Sequence, residues 1–277
     1  MKNKFMRGLL ATCMAFTCAF GLVACGDDPA DPTTPPADTT VYTRVDTIEE
    51  LKTALTNDIA DDVIVLDADF DLEDVNDNKA LAVESGKNII DLNGHKIKGV
   101  DNAGDDEWYT FVVKGADVEL TITDSSTDKT GTVEGRCYGI FVSGGAKLTI
   151  NGGNFVCKTN PVYNQSVSLF GGELVINGGV FQSKIYEVVY SKSTEQSPNT
   201  ITVNGGKFEN ITEEDVEQEE FSLFYLEGTH QTIVFNGGEF VKGALGLVVG
   251  YDADNETTIH FTNNAGIAEE DISAWEM

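Results

Sequence analysis

The chain has 277 residues, with 46 acidic side chains against 18 Lys and Arg, a formal net charge of −28. A field of that sign repels nucleic acid and unassisted anionic polysaccharide, and it favours solubility, cations or basic partners. The three histidines, His95, His230 and His260, are far apart in sequence, which speaks against a histidine-based metal cluster or a nucleophilic triad.

The chain opens with Lys2, Lys4 and Arg7 ahead of an apolar stretch over residues 9–22, closed by Leu22-Val23-Ala24-Cys25. A basic start and a short apolar run predict a secretory signal over residues 1–24, too short for a comfortable membrane span. The last four residues resemble the lipobox of bacterial lipoproteins. That resemblance implies cleavage before Cys25, lipidation of its thiol, and a partner membrane reached through the lipid anchor. Asp27 and Asp28 resemble the acidic export tags of bacterial surface lipoproteins, so the expected location is the cell envelope, at the outer membrane or cell surface. Removing the signal takes Lys2, Lys4 and Arg7 and no acid, leaving 15 basic residues against 46 acidic, or −31. Residues 25–40 follow as a Pro-, Asp- and Thr-rich stretch holding four of the six prolines, which predicts an extended tether. The body is then one domain over residues 41–277.

Thr47 and Glu50 form a capping box ahead of an amphipathic helix running to Leu55, expected to cover the first sheet edge. Strands follow at Val63-Ile64-Val65-Leu66 and in residues 88–95. Asp67, Asp69 and Asp71 superficially match a Ca2+ loop, but Leu72 stands where such a loop needs glycine. A surface Ca2+ site at Asp74, Asp77 or nearby acids is the remaining metal expectation; no cofactor is required.

Asn-Gly-Gly-x-Phe then occurs four times, at 151–155, 177–181, 204–208 and 236–240, each copy after an apolar strand. A fixed period of this size marks a repeat whose units bury their apolar faces on one another. Stacking the units gives one column of Ile90, Leu120, Leu148, Leu174, Ile201, Ile233 and Ile259. A second holds Leu92, Ile122, Ile150, Ile176, Val203, Phe235 and Phe261. The residues between are polar or β-branched, the alternation of a strand with one buried face. A third strand, such as Tyr138-Gly139-Ile140-Phe141-Val142, closes each unit. Three short strands per unit predict an all-β fold, a single right-handed parallel β-helix with an N-terminal capping helix. Asn93, Asn151, Asn177, Asn204 and Asn236 are expected to stack outside at roughly 4.8 Å per coil. Phe155, Phe181, Phe208 and Phe240 are expected to stack inside. Both columns are structural. Cys137 and Cys157 fall on inward positions of successive coils, as two buried thiols or as a bridge. Ile267, Ile272 and Trp275 are expected to form a lid over the last coil.

The capping helix, the Ile-Asp-Leu-Asn-Gly-His segment at 90–95 and the Asn-Gly-Gly-x-Phe coils resemble the pectin-lyase-like superfamily over about residues 41–265. They are closer still to β-helical bacterial surface lipoproteins of no settled activity. The superfamily includes polysaccharide lyases, which pair a cation with an Arg or Lys base, and hydrolases built on close carboxylates. The mature chain has only Arg44 and Arg136, and the hydrolase signatures Asn-x-Asp, Asp-Asp and Gly-His-Gly do not recur in order. This leans away from an enzyme.

Insertions at residues 100–108, 160–165 and 211–220 all leave the unit after the Phe-led strand, so they are expected along one edge of the cylinder. That edge offers Asp105, Asp106, Glu107, Trp108, Tyr163, Asn164, Tyr186, Glu213, Glu214 and Asp215. Aromatic rings with carboxylates and amides suit carbohydrate, rings against sugar C–H faces and polar groups on hydroxyls. Three functions follow: a non-catalytic binder of glycan or surface components, a polysaccharide lyase or glycoside hydrolase, and a structural or adhesive protein that takes basic protein partners.

Overall fold

A computed structural model describes residues 40–56, 62–72, 80–100, 109–135, 138–157, 165–184, 187–211, 222–241, 248–251 and 259–268. The fold is all-β, with 21 strands and one helix among the described residues, and every named strand pairing is parallel. Three ladders run side by side, with strands numbered in chain order. The first holds β1 (Tyr42–Val45), β2 (Val63–Leu66), β5 (Lys87–Asp91), β8 (Glu119–Thr123), the second halves of β10 (Tyr138–Ile150) and β12 (Gln165–Ile176), β15 (Asn199–Val203), β18 (Gln231–Phe235) and β21 (Ile259–Asn263). The second holds β3 (Phe70–Asp71), β6 (Lys96–Lys98), β9 (Thr132–Gly135), β11 (Asn154–Cys157), β13 (Val180–Ser183), β16 (Lys207–Asn210) and β19 (Glu239–Val241). The third holds β4 (Leu81–Val83), β7 (Tyr109–Lys114), the first halves of β10 and β12, β14 (Val189–Ser193), β17 (Phe224–Gly228) and β20 (Val248–Tyr251). These long parallel sheets are compatible with a parallel β-helix.

Alternation explains the core. Along the first ladder Leu120, Ile122, Leu148, Ile150, Leu174 and Ile176 are fully buried, while the intervening Thr121, Thr149 and Val175 are half-buried on the other face. The helix α1 (Ile48–Thr56) puts Leu51, Ala54 and Leu55 into the same core. Its start is capped reciprocally: Glu50 N donates to Thr47 Oγ1 at 3.2 Å, and Asp46 N donates to Glu50 Oε2 at 3.1 Å. Ile267 packs against the far end of the core; Ile272 and Trp275 lie outside the described residues.

The Asn-Gly-Gly-x-Phe motif turns the chain from the first ladder to the second. Phe155, Phe181, Phe208 and Phe240 stack with centroids 4.9, 4.9 and 5.3 Å apart and planes within 11°. Asn177, Asn204 and Asn236 each donate 2.8 Å hydrogen bonds to the preceding asparagine, starting at Asn151, and Asn264 adds a further member. The two glycines have different duties. A Cβ on Gly205 would lie 2.7 Å from Asn177 O, whereas Gly206 has φ +103°, a region that disfavours L side chains.

The register differs from the sequence expectation at both ends. Ile90 pairs with Ile122, not Leu120, and the buried Asn88 takes the place opposite Leu120. Phe261 likewise pairs with Ile233, and Asn263 with Phe235. Consequently Asn93 stays out of the asparagine column and donates to Leu66 O instead. A slip of two residues preserves which side chains point inward, so apolar alternation alone does not detect it.

Candidate functional site

The outer face of the third ladder differs from the other two. Phe111, Val113, Ile140, Val142, Val167, Leu169, Val189 and Leu226 point inward and are buried. Val112, Phe141, Ser168, Tyr190 and Tyr225 are successive cross-strand partners of opposite parity. Rings on this face join into a continuous column, Tyr138–Tyr109–Phe141–Phe170–Tyr190–Tyr225, with centroids 4.8, 4.8, 5.2, 5.4 and 5.7 Å apart. Tyr109 is buried and the other five are half-buried. The Phe141–Phe170 and Phe170–Tyr190 pairs are tilted by 52° and 58°, which keeps those rings from covering one another fully.

A repeated irregularity in the strands feeds polar groups to the same face. Ser166 N and Val167 N both donate to Val188 O, and Val188 N and Val189 N both donate to Leu223 O. Two residues against one is the signature of a bulge, which re-aims the side chains before it. Gly139 lies in the same row, and a Cβ there would stand 2.3 Å from Ser166 O. Residues ahead of the bulges therefore join those after it. Gln165, ahead of the first bulge, accepts at its Oε1 from Ser168 Oγ at 2.7 Å. Gln165 Nε2 in turn donates to Glu187 Oε1 at 2.5 Å.

Two carboxyls in this cluster have opposite tendencies. Burial raises Glu187 to about 7, against the hydrogen bond from Gln165, and the neighbouring charge of Glu227 pushes the same way. Burial also works to raise Glu227, but hydrogen bonds from Lys192 and Tyr190 outweigh it and hold that carboxyl below its ordinary value. Lys192 Nζ donates to Glu227 Oε1 at 2.6 Å, and the Tyr190 hydroxyl donates to Glu227 Oε2. Burial first, then its bond to Glu227, holds the Tyr190 hydroxyl well above its ordinary range.

The loop residues singled out in the sequence, Asp105, Asp106, Glu107, Trp108, Tyr163, Asn164, Tyr186, Glu213, Glu214 and Asp215, lie outside the described residues, as do Cys25, Arg136, Asp74 and Asp77. In the chain Trp108, Asn164 and Tyr186 immediately precede Tyr109, Gln165 and Glu187 of the cluster. Sequence reasoning missed the cluster itself. Phe141, Phe170, Tyr190 and Tyr225 could have been found from their outward parity in the third strand; Gln165 and Glu187 could not, because bulges break that parity.

The other candidates are occupied structurally. Asp69 Oδ1 accepts from Lys96 N at 2.9 Å and lies 3.2 Å from His95 Nδ1, Asp71 pairs with Lys98, and Asp67 with Arg44. Leu72 is fully buried, against any Ca2+ loop there. Asp124 accepts backbone hydrogen bonds from Gly94, Ser126 and Gly131; burial alone would raise its carboxyl, and these bonds hold it below the ordinary value. His230 and His260 are exposed. Cys157 is buried with its thiol donating to Gln165 O at 3.1 Å, and Cys137 lies outside the described residues. Among the described residues no group of three or more His, Cys, Asp or Glu could hold a metal, and no helix is long and apolar enough to cross a membrane. No protein-family model, curated protein or solved structure matches the chain.

Proposed function

We propose that this chain is a bacterial cell-envelope lipoprotein, held to the membrane through Cys25, whose body is a single right-handed parallel β-helix of three strands per coil that binds glycan without cleaving it. The observation that carries the reading is the column of half-buried rings on the third ladder, bordered by Glu227 and Lys192. Rings in a row suit the C–H faces of successive sugars, and the partly exposed Glu227 carboxylate and Lys192 ammonium beside them suit their hydroxyls. The net negative charge directs the choice towards neutral or basic glycans rather than polyanions. The loops bearing Asp105, Trp108, Tyr163 and Glu213 belong to the same proposal, since each precedes a strand of this ladder.

The test is a polysaccharide panel read for binding to the purified protein with Ca2+ and with EDTA. Tyr190→Ala and Tyr225→Ala should each weaken binding about tenfold or more, as truncating an aromatic anchor does. Loss in EDTA would assign a Ca2+ to the acidic loops. Unchanged affinity in both variants would remove the column from the reading, and salt-screened capture of basic proteins would favour the adhesive role.

One observation favours the alternative of glycoside hydrolysis: Glu187, raised to about 7 by burial, shares a cluster with Glu227, held below its ordinary value by Lys192 and Tyr190. Such divergence is how acid and base roles are divided between carboxyls. New reducing ends in the same wells would establish it.

A further inference from the structure

The ring column rests on a polar layer sealed from solvent. Glu187 is 8% exposed, Gln165 9% and Ser168 0%. They form one chain: the Glu187 carboxyl accepts from Gln165, whose own oxygen accepts from Ser168. Ser168 is the cross-strand partner of both Phe141 and Tyr190, so it lies between them in the same row, and at 0% exposure it is covered there. The described titratable groups that interact with Glu187 are Tyr190 of β14 and Glu227 of β17, with Lys192 beside Glu227 and Tyr225 beside Tyr190. β12 contributes the neutral Gln165 and Ser168, and β10 contributes Tyr138 opposite Gln165. Lys192 is committed to Glu227. In this setting a neutral Glu187 can stay in place, whereas an ionised one faces Glu227 as a like charge with little water to solvate it.

We infer that Glu187 is a pH-operated latch for the aromatic column: neutral, it holds the rings closed over Gln165 and Ser168; ionised, it draws water into the layer and loosens the rings above it. The device goes beyond the glycan reading and does not depend on any ligand. Its proton comes from and returns to solvent, and no bond other than that O–H is made or broken. The raised position of Glu187 near neutrality puts the change in a range where an envelope protein meets it.

Near-ultraviolet circular dichroism of the purified protein, in the tyrosine band, reads the column without ligand. A single reversible transition centred near neutral pH is expected, with far-ultraviolet signal unchanged. Glu187→Gln keeps the acceptor for Gln165 and should abolish the transition. Glu227→Gln removes the neighbouring charge and should retain the transition but move its midpoint to lower pH. No transition in the wild-type protein overturns the inference, as does one that persists in Glu187→Gln. A midpoint unmoved in Glu227→Gln overturns it too, because the two carboxyls would then not share a field. Failure of the glycan panel with this transition intact would sink the binding proposal alone.

Discussion

Truncating one ring in the middle of the inner phenylalanine column tests whether that column carries the stability of the fold. Phe181 is fully buried, with Phe155 and Phe208 stacked on its two faces, each at 4.9 Å. Phe181→Ala therefore loses the burial of a whole ring and leaves a cavity between neighbours fixed by their own strands, at a cost of about 3–5 kcal/mol. Two stacked contacts, each worth about 0.5–1.5 kcal/mol, are contained in that figure. Phe240 sits near the end of the column, half-buried, with Phe208 at 5.3 Å on one side. Its truncation should cost only about 1–2 kcal/mol, because less area is lost and the site opens to water. Urea unfolding followed by far-ultraviolet circular dichroism gives both values as midpoint shifts at constant slope. Equal losses in the two variants, or a loss below about 1 kcal/mol for Phe181→Ala, would refute the reasoning.

Gly205→Ala should destabilise by more than about 1 kcal/mol because its Cβ meets Asn177 O, while Gly152→Ala, whose Cβ meets nothing nearer than Asp124 N at 3.6 Å, should stay within about 0.5 kcal/mol. Thermal melts of the pair decide it. Asn204→Ala breaks two amide bonds of the outer column and Asn264→Ala breaks one, so losses of about 1 and about 0.5 kcal/mol are expected from these exposed bonds. A double-mutant comparison by urea midpoint measures the ratio. Glu187 binds a proton in the folded state up to about 7 but releases it near 4.5 when unfolded, so its contribution to stability is lost as pH rises between those values. That loss is about 3 kcal/mol, and Glu187→Gln should gain that much on the wild type between pH 4 and pH 8 in paired urea titrations, a gain absent if the carboxyl titrates normally.

The first two ladders were legible because their chemistry repeats. Asn-Gly-Gly-x-Phe records the corner between the first and second ladders, and its four copies locate the turn, the inner ring column and the outer amide column. The ends were misread by two residues, since Asn88 replaces a leucine in the first repeat and Phe261 is apolar in either register. Asn264 escaped for the same reason: it extends the amide column without its Gly-Gly. The third ladder was legible as strands but not as a site. Its bulges at Ser166 and Val188 turn Gln165 and Glu187 to a face that strict alternation denies them.

That difference between ladders argues for where function resides. The outer faces of the first two carry cross-strand ion pairs, among them Lys87–Glu119, Lys147–Glu173, Lys98–Asp71 and Lys96–Glu134. Pairs of this exposure contribute little to stability and keep a surface wet and free of apolar patches. The outer face of the third ladder carries the Lys192–Glu227 pair but adds six aromatic rings, a buried carboxyl and a tyrosine bonded to Glu227. Apolar rings on the outside of a sheet gain less from burial than they would inside, and a carboxyl desolvated beside another costs stability above neutral pH. Stability therefore does not account for Glu187, since glutamine would serve the fold better there at neutral pH. A carboxyl standing at that cost, beside the one aromatic outer face the described residues display, is where a binding role has the most explanatory power.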